Sequence, residues 1–272
     1  MTTSGSAEQQ RPVRRQPPPF RRVTVRRMES LSPRLVRVTL GGSELEGLVV
    51  EAPGASVRLL LPSPGTGDLI IPRWNGNEFL LPDGQRPVIR TFTPRRVDPV
   101  KLELDLDIVL HEGGIASAWA GAAAPGDSAA ISGPGRGYVI DEEATAFLLG
   151  GDESAIPAIS QLLESIPERI PVEVHIEIVH PDARLALPHH PKASVSWHPA
   201  VTGGRPGDAL VSAVEGTGIA PGTRVWVAGE AAAVHRIRRN LFKLRGIPRS
   251  QATVRGYWKH GGDGTDVASP AQ

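Results

Sequence analysis

Apolar residues fall along this chain in two rhythms, and the rhythm changes near its middle. From Lys101 to Leu110 every second residue is apolar: Leu102, Leu104, Leu106 and Ile108 alternate with Lys101, Glu103, Asp105 and Asp107. A period of two predicts an antiparallel strand with one face on a core and the other in water. Shorter apolar runs at Val23–Val25, Leu35–Leu40, Ser56–Leu61, Val88–Thr93 and Asp127–Ser132 are separated by breakers such as Ser32-Pro33, Gly41-Gly42 and Pro62. These are strand and turn signals. Residues 62–87, rich in Gly and Pro, predict a long loop around a short hairpin, and the Ala-rich stretch Ile115–Ala124 predicts a short helix stopped by Pro125-Gly126. Residues 20–133 therefore predict an antiparallel β-barrel of about six strands with one helix.

Past Gly133-Pro134-Gly135-Arg136-Gly137 strands and helices alternate. Strands are expected at Ala146–Leu149, Val172–Val179, Val195–Trp197, Val225–Ala228 and Thr253–Trp258. Helices are expected at Ala155–Ser165, with Pro157 tolerated in the first turn; at Asp208–Val214, capped by Asp208; and at Ala231–Arg245. The last has Val234, Ile237, Leu241 and Leu244 on one face and Gly246 as its stop. Such alternation predicts a parallel α/β sheet with right-handed crossovers. The expected division is a disordered basic tail (1–19), the barrel (20–133), a linker (134–145), the α/β domain (146–262) and a second disordered tail (263–272).

Composition narrows the function classes. The 272 residues, 40% apolar and 22% charged, suit one large or two ordinary globular domains. A net charge of +1 argues against nucleic acid as a partner, although arginines crowd the start of the chain. The absence of cysteine excludes disulfides, thiolate zinc sites and cysteine-ligated iron–sulfur clusters. No apolar run reaches the ~20 residues of a membrane span. Arg14-Arg15 runs into Gln16-Pro17-Pro18-Pro19, where an export signal would be apolar. A soluble, cytoplasmic protein without membrane insertion, and a monomer, is expected. His189-His190, near His180 and His198, lack helical ligand spacing, so no metal site is expected.

Five segments carry candidate chemistry. Arg90-Thr91-Phe92-Thr93, with Arg95 behind, places a flat ring between cations. A flavin dinucleotide fits that pattern: the ring of Phe92 for the isoalloxazine, Arg90 and Arg95 for the pyrophosphate, Thr93 for the flavin's polar edge. His111-Glu112-Gly113-Gly114-Ile115-Ala116-Ser117-Ala118-Trp119 follows a strand and opens a helix, where small residues let a phosphate approach free N–H groups. Gly150-Gly151-Asp152-Glu153-Ser154 is a strand–turn–helix unit suited to a nucleotide, with helix capping as the alternative role for its acids. Trp226-Val227-Ala228-Gly229-Glu230 lies at another strand's carboxyl end, where open α/β sheets bind ligands. In Gly256-Tyr257-Trp258-Lys259, two aromatics beside a cation suit closure over a ring.

From about residue 20 to 262 these motifs resemble the siderophore-interacting proteins, flavin-dependent ferric-siderophore reductases of the ferredoxin reductase-like superfamily. The most specific parts are Arg90–Arg95, Val109–Trp119, Gly150–Pro157, Trp226–Glu230 and Gly256–Trp258. The resemblance implies FAD on the barrel, NADH or NADPH on the sheet, and a ferric siderophore as the small-molecule substrate. By it, the cofactor-binding residues are Arg90, Thr91, Phe92, Thr93, Arg95, His111, Gly113, Gly114, Ile115, Ala116, Ser117, Trp119, Asp152, Glu153, Ser154, Gly229, Glu230, Tyr257 and Trp258. Lys259, Arg255 and Arg73 are candidates for the anionic chelate. Phe92 stands where the family usually has Tyr, which keeps stacking but removes a hydroxyl, and Ile115 replaces the usual Pro. Electrons pass through the flavin, so no protein nucleophile is expected. Two alternatives stay open: a flavin reductase serving a protein or other acceptor, and a non-catalytic siderophore-binding protein. Asp182 suits a free ribose hydroxyl and Arg184 a 2′-phosphate, which leaves the choice of nicotinamide open.

Overall fold

The computed structural model describes residues 16–63, 65 and 67–261. The two expected tails therefore lie, wholly or for the most part, outside the described residues. Strands β1 (Phe20–Ser32), β2 (Leu35–Gly41) and β3 (Val57–Leu60) are followed by a hairpin of β4 (Arg73–Trp74) and β5 (Phe79–Leu80). Next come β6 (Ile89–Phe92), β7 (Pro94–Asp98), β8 (Glu103–Val109), helix α1 (Ile115–Ala122) and β9 (Ser128–Ser132). All but the hairpin form a seven-stranded antiparallel sheet in the order β6-β3-β9-β1-β2-β8-β7. Register shifts at Val25/Arg27 and Ser30/Ser32 help the long β1 coil around the core. Val25, Val38, Leu40, Leu59, Leu104, Leu106 and Ile131 close the interior. The sheet has one strand more than expected. The chain resumes pairing at Pro94, so Arg95 belongs to β7 and lies off the strand of Phe92.

Strand β8 departs from its expected half-wet character. Asp105 and Asp107 are buried, because β2 supplies partners for both. Thr39 donates to Asp105 at 2.6 Å, and Arg37 grips Asp107 with two bonds of 2.7 and 2.8 Å. Bidentate, charge-assisted pairing makes burial of those carboxylates tolerable. The strand also starts later than the alternation implies. Leu102 sits at φ 53° in a turn whose N–H groups at Val100 and Lys101 bind the Asp98 carboxylate.

The second half forms a parallel sheet of β10 (Ala146–Asp152), β11 (Val172–Ile178), β12 (Ala193–Pro199), β13 (Thr223–Glu230) and β14 (Ala252–Trp258), in the order β12-β11-β10-β13-β14. Helix α2 (Ile156–Ser165) covers one face with Ile156, Ile159, Leu162 and Leu163; α3 (Asp208–Gly216) and α4 (Ala231–Arg239) cover the other with Leu210, Val214, Val234 and Ile237. The chain reverses direction across the sheet between β10 and β13, the topological point at which such folds open a crevice. Two local expectations fail here. The last helix ends at Arg239 and runs into a π-turn over Asn240–Leu244. The wider turn rotates the apolar face, so Leu241 stays buried while Leu244 is 68% exposed. Asp208 does not cap α3: it is the first helical residue, paired with Arg236, and Glu177 of β11 takes the helix-start N–H groups of Gly207 and Leu210 instead. No helix among the described residues is long and apolar enough to cross a membrane, and no His, Asp or Glu cluster among them could hold a metal ion.

On β11 and β12, His175 Nδ1 lies 3.0 Å from His198 Nε2, while His175 Nε2 faces Glu173 and Thr217, each at 3.0 Å. Burial, reinforced by His175, holds the His198 imidazole below its ordinary pKa. The unfolded imidazole takes its proton near pH 6.5 and the folded one at lower pH. The stability from a neutral His198 is therefore complete above about pH 6.5 and is lost as pH falls through the folded value. His198→Gln should flatten the fall in melting temperature between about pH 7 and 5 relative to the parent. Equal slopes in thermal melts across that range would refute this.

Candidate functional site

Between β8 and α1 the chain builds an uncapped helix start. Gly113 adopts φ +74°, which favours glycine, and a Cβ there would meet nothing within 4 Å. Gly114 is the N-cap; no side chain caps the helix and its first turn holds no acid. Ser117 clasps the loop by accepting from His111 N–H at 2.7 Å and donating to the His111 carbonyl at 2.8 Å. The His111 ring folds over Gly114, where a Cβ would lie 2.3 Å from it. Ile115 is 40% exposed, whereas Ala116 is buried and Trp119 packs on the barrel core. The expected residues thus divide. Gly113, Gly114 and Ile115 form the open tip, and Ala116, Ser117 and Trp119 hold it from behind. An uncapped helix start with space in front of it fits a pyrophosphate.

The β6 segment ends beside that tip's sheet. Phe92 opposes Val57 and Arg90 opposes Leu59, while exposed Thr91 opposes Arg58. Phe92 is half-buried with part of its ring against the barrel core. Thr93 is buried beside Tyr257, whose hydroxyl pKa is pushed up by burial and drawn back down by Thr93. Arg95 departs from its expected role. Its guanidinium forms a two-pronged ion pair with Glu164 of α2, at 2.6 and 3.1 Å. Gln161 of α2 strengthens the same seam by donating to the Pro94 carbonyl at 2.6 Å and accepting from Gly54 N–H at 2.8 Å.

At the carboxyl ends of the parallel strands the acids are spent within the protein. Asp152 Oδ1 accepts from Ser154 N–H at 2.9 Å, and its Oδ2 from Glu230 N–H at 2.9 Å and Trp258 Nε1 at 2.8 Å. Burial pushes the Asp152 carboxyl up against the pull of those bonds. Glu153 receives Arg34 and the N–H of Val179, each at 2.9 Å. Glu230 caps α4 through Ala232 and Ala233 and accepts from His260 N–H at 3.1 Å. The capping alternative thus holds for Asp152, whereas Glu153 ties Arg34 and the end of β11 instead, and Glu230, for which no cap was expected, closes the start of α4. Tyr257 meets Trp226 edge-on, centroids 6.3 Å apart, and Trp258 ends the sheet 38% exposed.

Residues 24–138 match the siderophore-interacting FAD-binding domain family and residues 144–261 the siderophore-interacting protein family. The chain belongs to the siderophore-interacting protein family. Its antiparallel sheet is the family's FAD-binding domain. The structure is similar to that of a siderophore utilization protein from T. fusca, at 34% identity and a TM-score of 0.82, covering 92% of this chain and 97% of that one. Ferric vibriobactin reductase ViuB of Vibrio cholerae is 30% identical over 239 residues, 86% of this chain and 88% of the relative. The NADPH-dependent ferric-chelate reductase of Escherichia coli is 35% identical over 147 residues, 54% of this chain and 57% of the relative.

In this family member the cations are placed differently from expectation. Arg73 is exposed on the β4–β5 hairpin, Lys259 is exposed after β14, and no contact among the described residues joins them. Arg255 is half-buried and reaches the Arg136 carbonyl at 3.4 Å. Sequence reasoning missed Arg58. It is half-buried on β3, its pKa lowered by burial alone, with no acid partner among the described residues. It opposes Ser132 of β9, just before the Gly133–Gly137 loop that carries Arg136 and lies against Ser56. In sequence Arg58 is one cation within an apolar run, and nothing local marks it.

The uncapped tip of α1 makes a prediction with two signs. Ile115→Glu adds a carboxylate at the positive end of the helix. The flavin-free protein should melt at the same or a higher temperature, since such a charge contributes about 0.3–1 kcal/mol. FAD affinity, measured by fluorescence titration, should fall at least about tenfold, because the same charge opposes a pyrophosphate. Unchanged FAD affinity would rule the tip out.

Proposed function

We propose that this protein is an NAD(P)H-dependent FAD flavoenzyme that reduces ferric siderophores and so releases ferrous iron. Residues 20–133 would carry FAD, residues 146–262 the nicotinamide nucleotide, and residues 134–145 would join them. The similarity to ViuB, a ferric vibriobactin reductase, and to an NADPH-dependent ferric-chelate reductase supports this. The observation that carries the substrate assignment is Arg58, a half-buried guanidinium on β3 with no acid partner among the described residues. Burying such a cation costs free energy unless an anion completes the site. Arg136 follows shortly after Ser132, which opposes Arg58, and its carbonyl receives Arg255 at 3.4 Å, so this part of the fold supplies cations for an anionic ferric chelate.

FAD, when bound, takes a hydride's two electrons from the nicotinamide and supplies them singly, as ferric ion requires. Each NAD(P)H oxidised then reduces two ferric ions and yields one proton. The chain's own residues provide position and charge. Gly113, Gly114 and Ile115 offer N–H groups to the pyrophosphate. Phe92 and Thr93 border the isoalloxazine. The seam bonds from Arg95 and Gln161 keep the two halves at fixed spacing, and the basic corner holds the chelate. Ferrous ion is softer and less charged than ferric, so oxygen-donor chelators hold it more weakly and let it go.

The test is an anaerobic titration of the yellow protein with NADH and with NADPH, followed by a ferric siderophore, watching the flavin bands. Bleaching by either nucleotide and recovery with two ferric ions per nucleotide is expected. Recovery only with a protein acceptor would favour a flavin reductase of another kind, and a protein that takes up no flavin would favour a siderophore carrier.

Arg58→Met gives a second prediction. It should leave the melting temperature unchanged or raise it, because it removes a half-buried charge with no acid partner among the described residues. It should raise KM for an anionic ferric chelate about tenfold, the scale of one lost charge-assisted contact. An unchanged KM in steady-state assays would remove Arg58 from the substrate site.

A further inference from the structure

The segment Tyr257–Trp258 is tied down at both residues. Tyr257 packs edge-on against Trp226, centroids 6.3 Å apart, and faces Thr93 of the antiparallel sheet. Trp258 Nε1 donates to Asp152 Oδ2 at 2.8 Å, an oxygen that also receives Glu230 N–H at 2.9 Å. The bond joins an acid that is 8% exposed to a ring that is 38% exposed. A buried carboxylate is a strong acceptor, and water has no access to replace it if the bond is lost. Gly229 makes room for the arrangement, since a Cβ there would lie 2.6 Å from Oδ2.

The neighbouring helix starts are closed. Glu177 occupies the tip of α3 and Glu230 the tip of α4. The usual phosphate cradle of an α/β sheet is thus filled by the protein's own acids. Orientation of a nucleotide at this edge falls to side chains, and Trp258 is an exposed aromatic ring at the strand ends.

We propose that Asp152 is a positioning residue for pyridine-nucleotide binding, fixing the plane of the Trp258 indole through the Nε1–Oδ2 hydrogen bond. The inference rests on the function proposed above. Asp152 acts through Trp258 and does not touch the nucleotide. Tyr257 sets the height of the segment from the other side of the seam.

The test is a double-mutant cycle on the FAD-loaded full chain, with NADP+ and NAD+ as non-reacting probes in calorimetry. Asp152→Asn and Trp258→Phe should each weaken binding of the better nucleotide about tenfold, the scale of losing one hydrogen bond to a charged group. The double variant should be no weaker than either single one. Gly229→Ala, which displaces the carboxylate and leaves both partners in place, should match them, and it carries the cycle if Asp152→Asn does not fold. A cofactor-free readout accompanies this. The five tryptophans give indole N–H signals, and the one missing from Trp258→Phe should exchange faster with solvent in Gly229→Ala and Asp152→Asn. Asp152 or Gly229 variants that weaken binding equally in the Trp258→Phe background, or that leave binding unchanged, overturn the inference alone. A wild-type protein that binds neither nucleotide overturns the functional proposal and this inference together, even with the indole signal protected.

Discussion

Four carboxylates tie the carboxyl edge of the parallel sheet to the turns and helix starts around it. Asp152 at the end of β10 and Glu230 at the end of β13 accept N–H groups of the turn or helix just after them, Glu153 reaches the N–H of Val179 beyond β11, and Glu177 in β11 reaches Gly207 and Leu210 at the start of α3. All four are buried, and each is satisfied by donors within the chain. The cost of dehydrating an acid is offset only when such donors are complete, so the strand ends, helix tips and crossing loops must adopt one arrangement together. The helix starts at this edge are consequently occupied by the protein's own acids. The anion-receptive helix tip described here lies in the other half of the molecule, on α1.

That separation orders the site. Under the proposed function a dinucleotide phosphate would meet the N–H groups at Gly113–Ile115, and an anionic chelate would meet Arg58, a cation with no acid partner among the described residues. Between them run the contacts that fix the halves: Arg95 with Glu164, Gln161 with Pro94 and Gly54, Arg34 with Glu153, Tyr257 with Thr93. Few of these bonds is strong alone, since exposed ion pairs contribute at most about 1 kcal/mol. Their spread along α2 and β14 resists rotation about any single contact.

Much of this was legible in the sequence. The switch from period-two alternation to strand–helix alternation gave both sheets, and the glycines before Ile115 marked the helix tip. What escaped shares one physical cause: partners distant along the chain. Asp105 and Asp107 look solvent-facing until Thr39 and Arg37 are brought opposite them. Asp208 looks like a cap until Glu177 arrives from a neighbouring strand. Arg95 looks like a phosphate ligand until Glu164 takes it. Leu244 was misplaced because a π-turn changes the helical period without a local signature. Arg58 stands out only by what does not surround it, which no pattern along a chain records.

The antiparallel sheet has all its strands once residue 132 is made, but Tyr257 and Trp258 sit on the last strand of the other sheet, at its edge. On the ribosome, the first half can therefore fold while the crevice still lacks a wall. The emerging polypeptide acquires its complete site only when its final strand docks, so a chain cut short before residue 257 would lack one wall of the cleft.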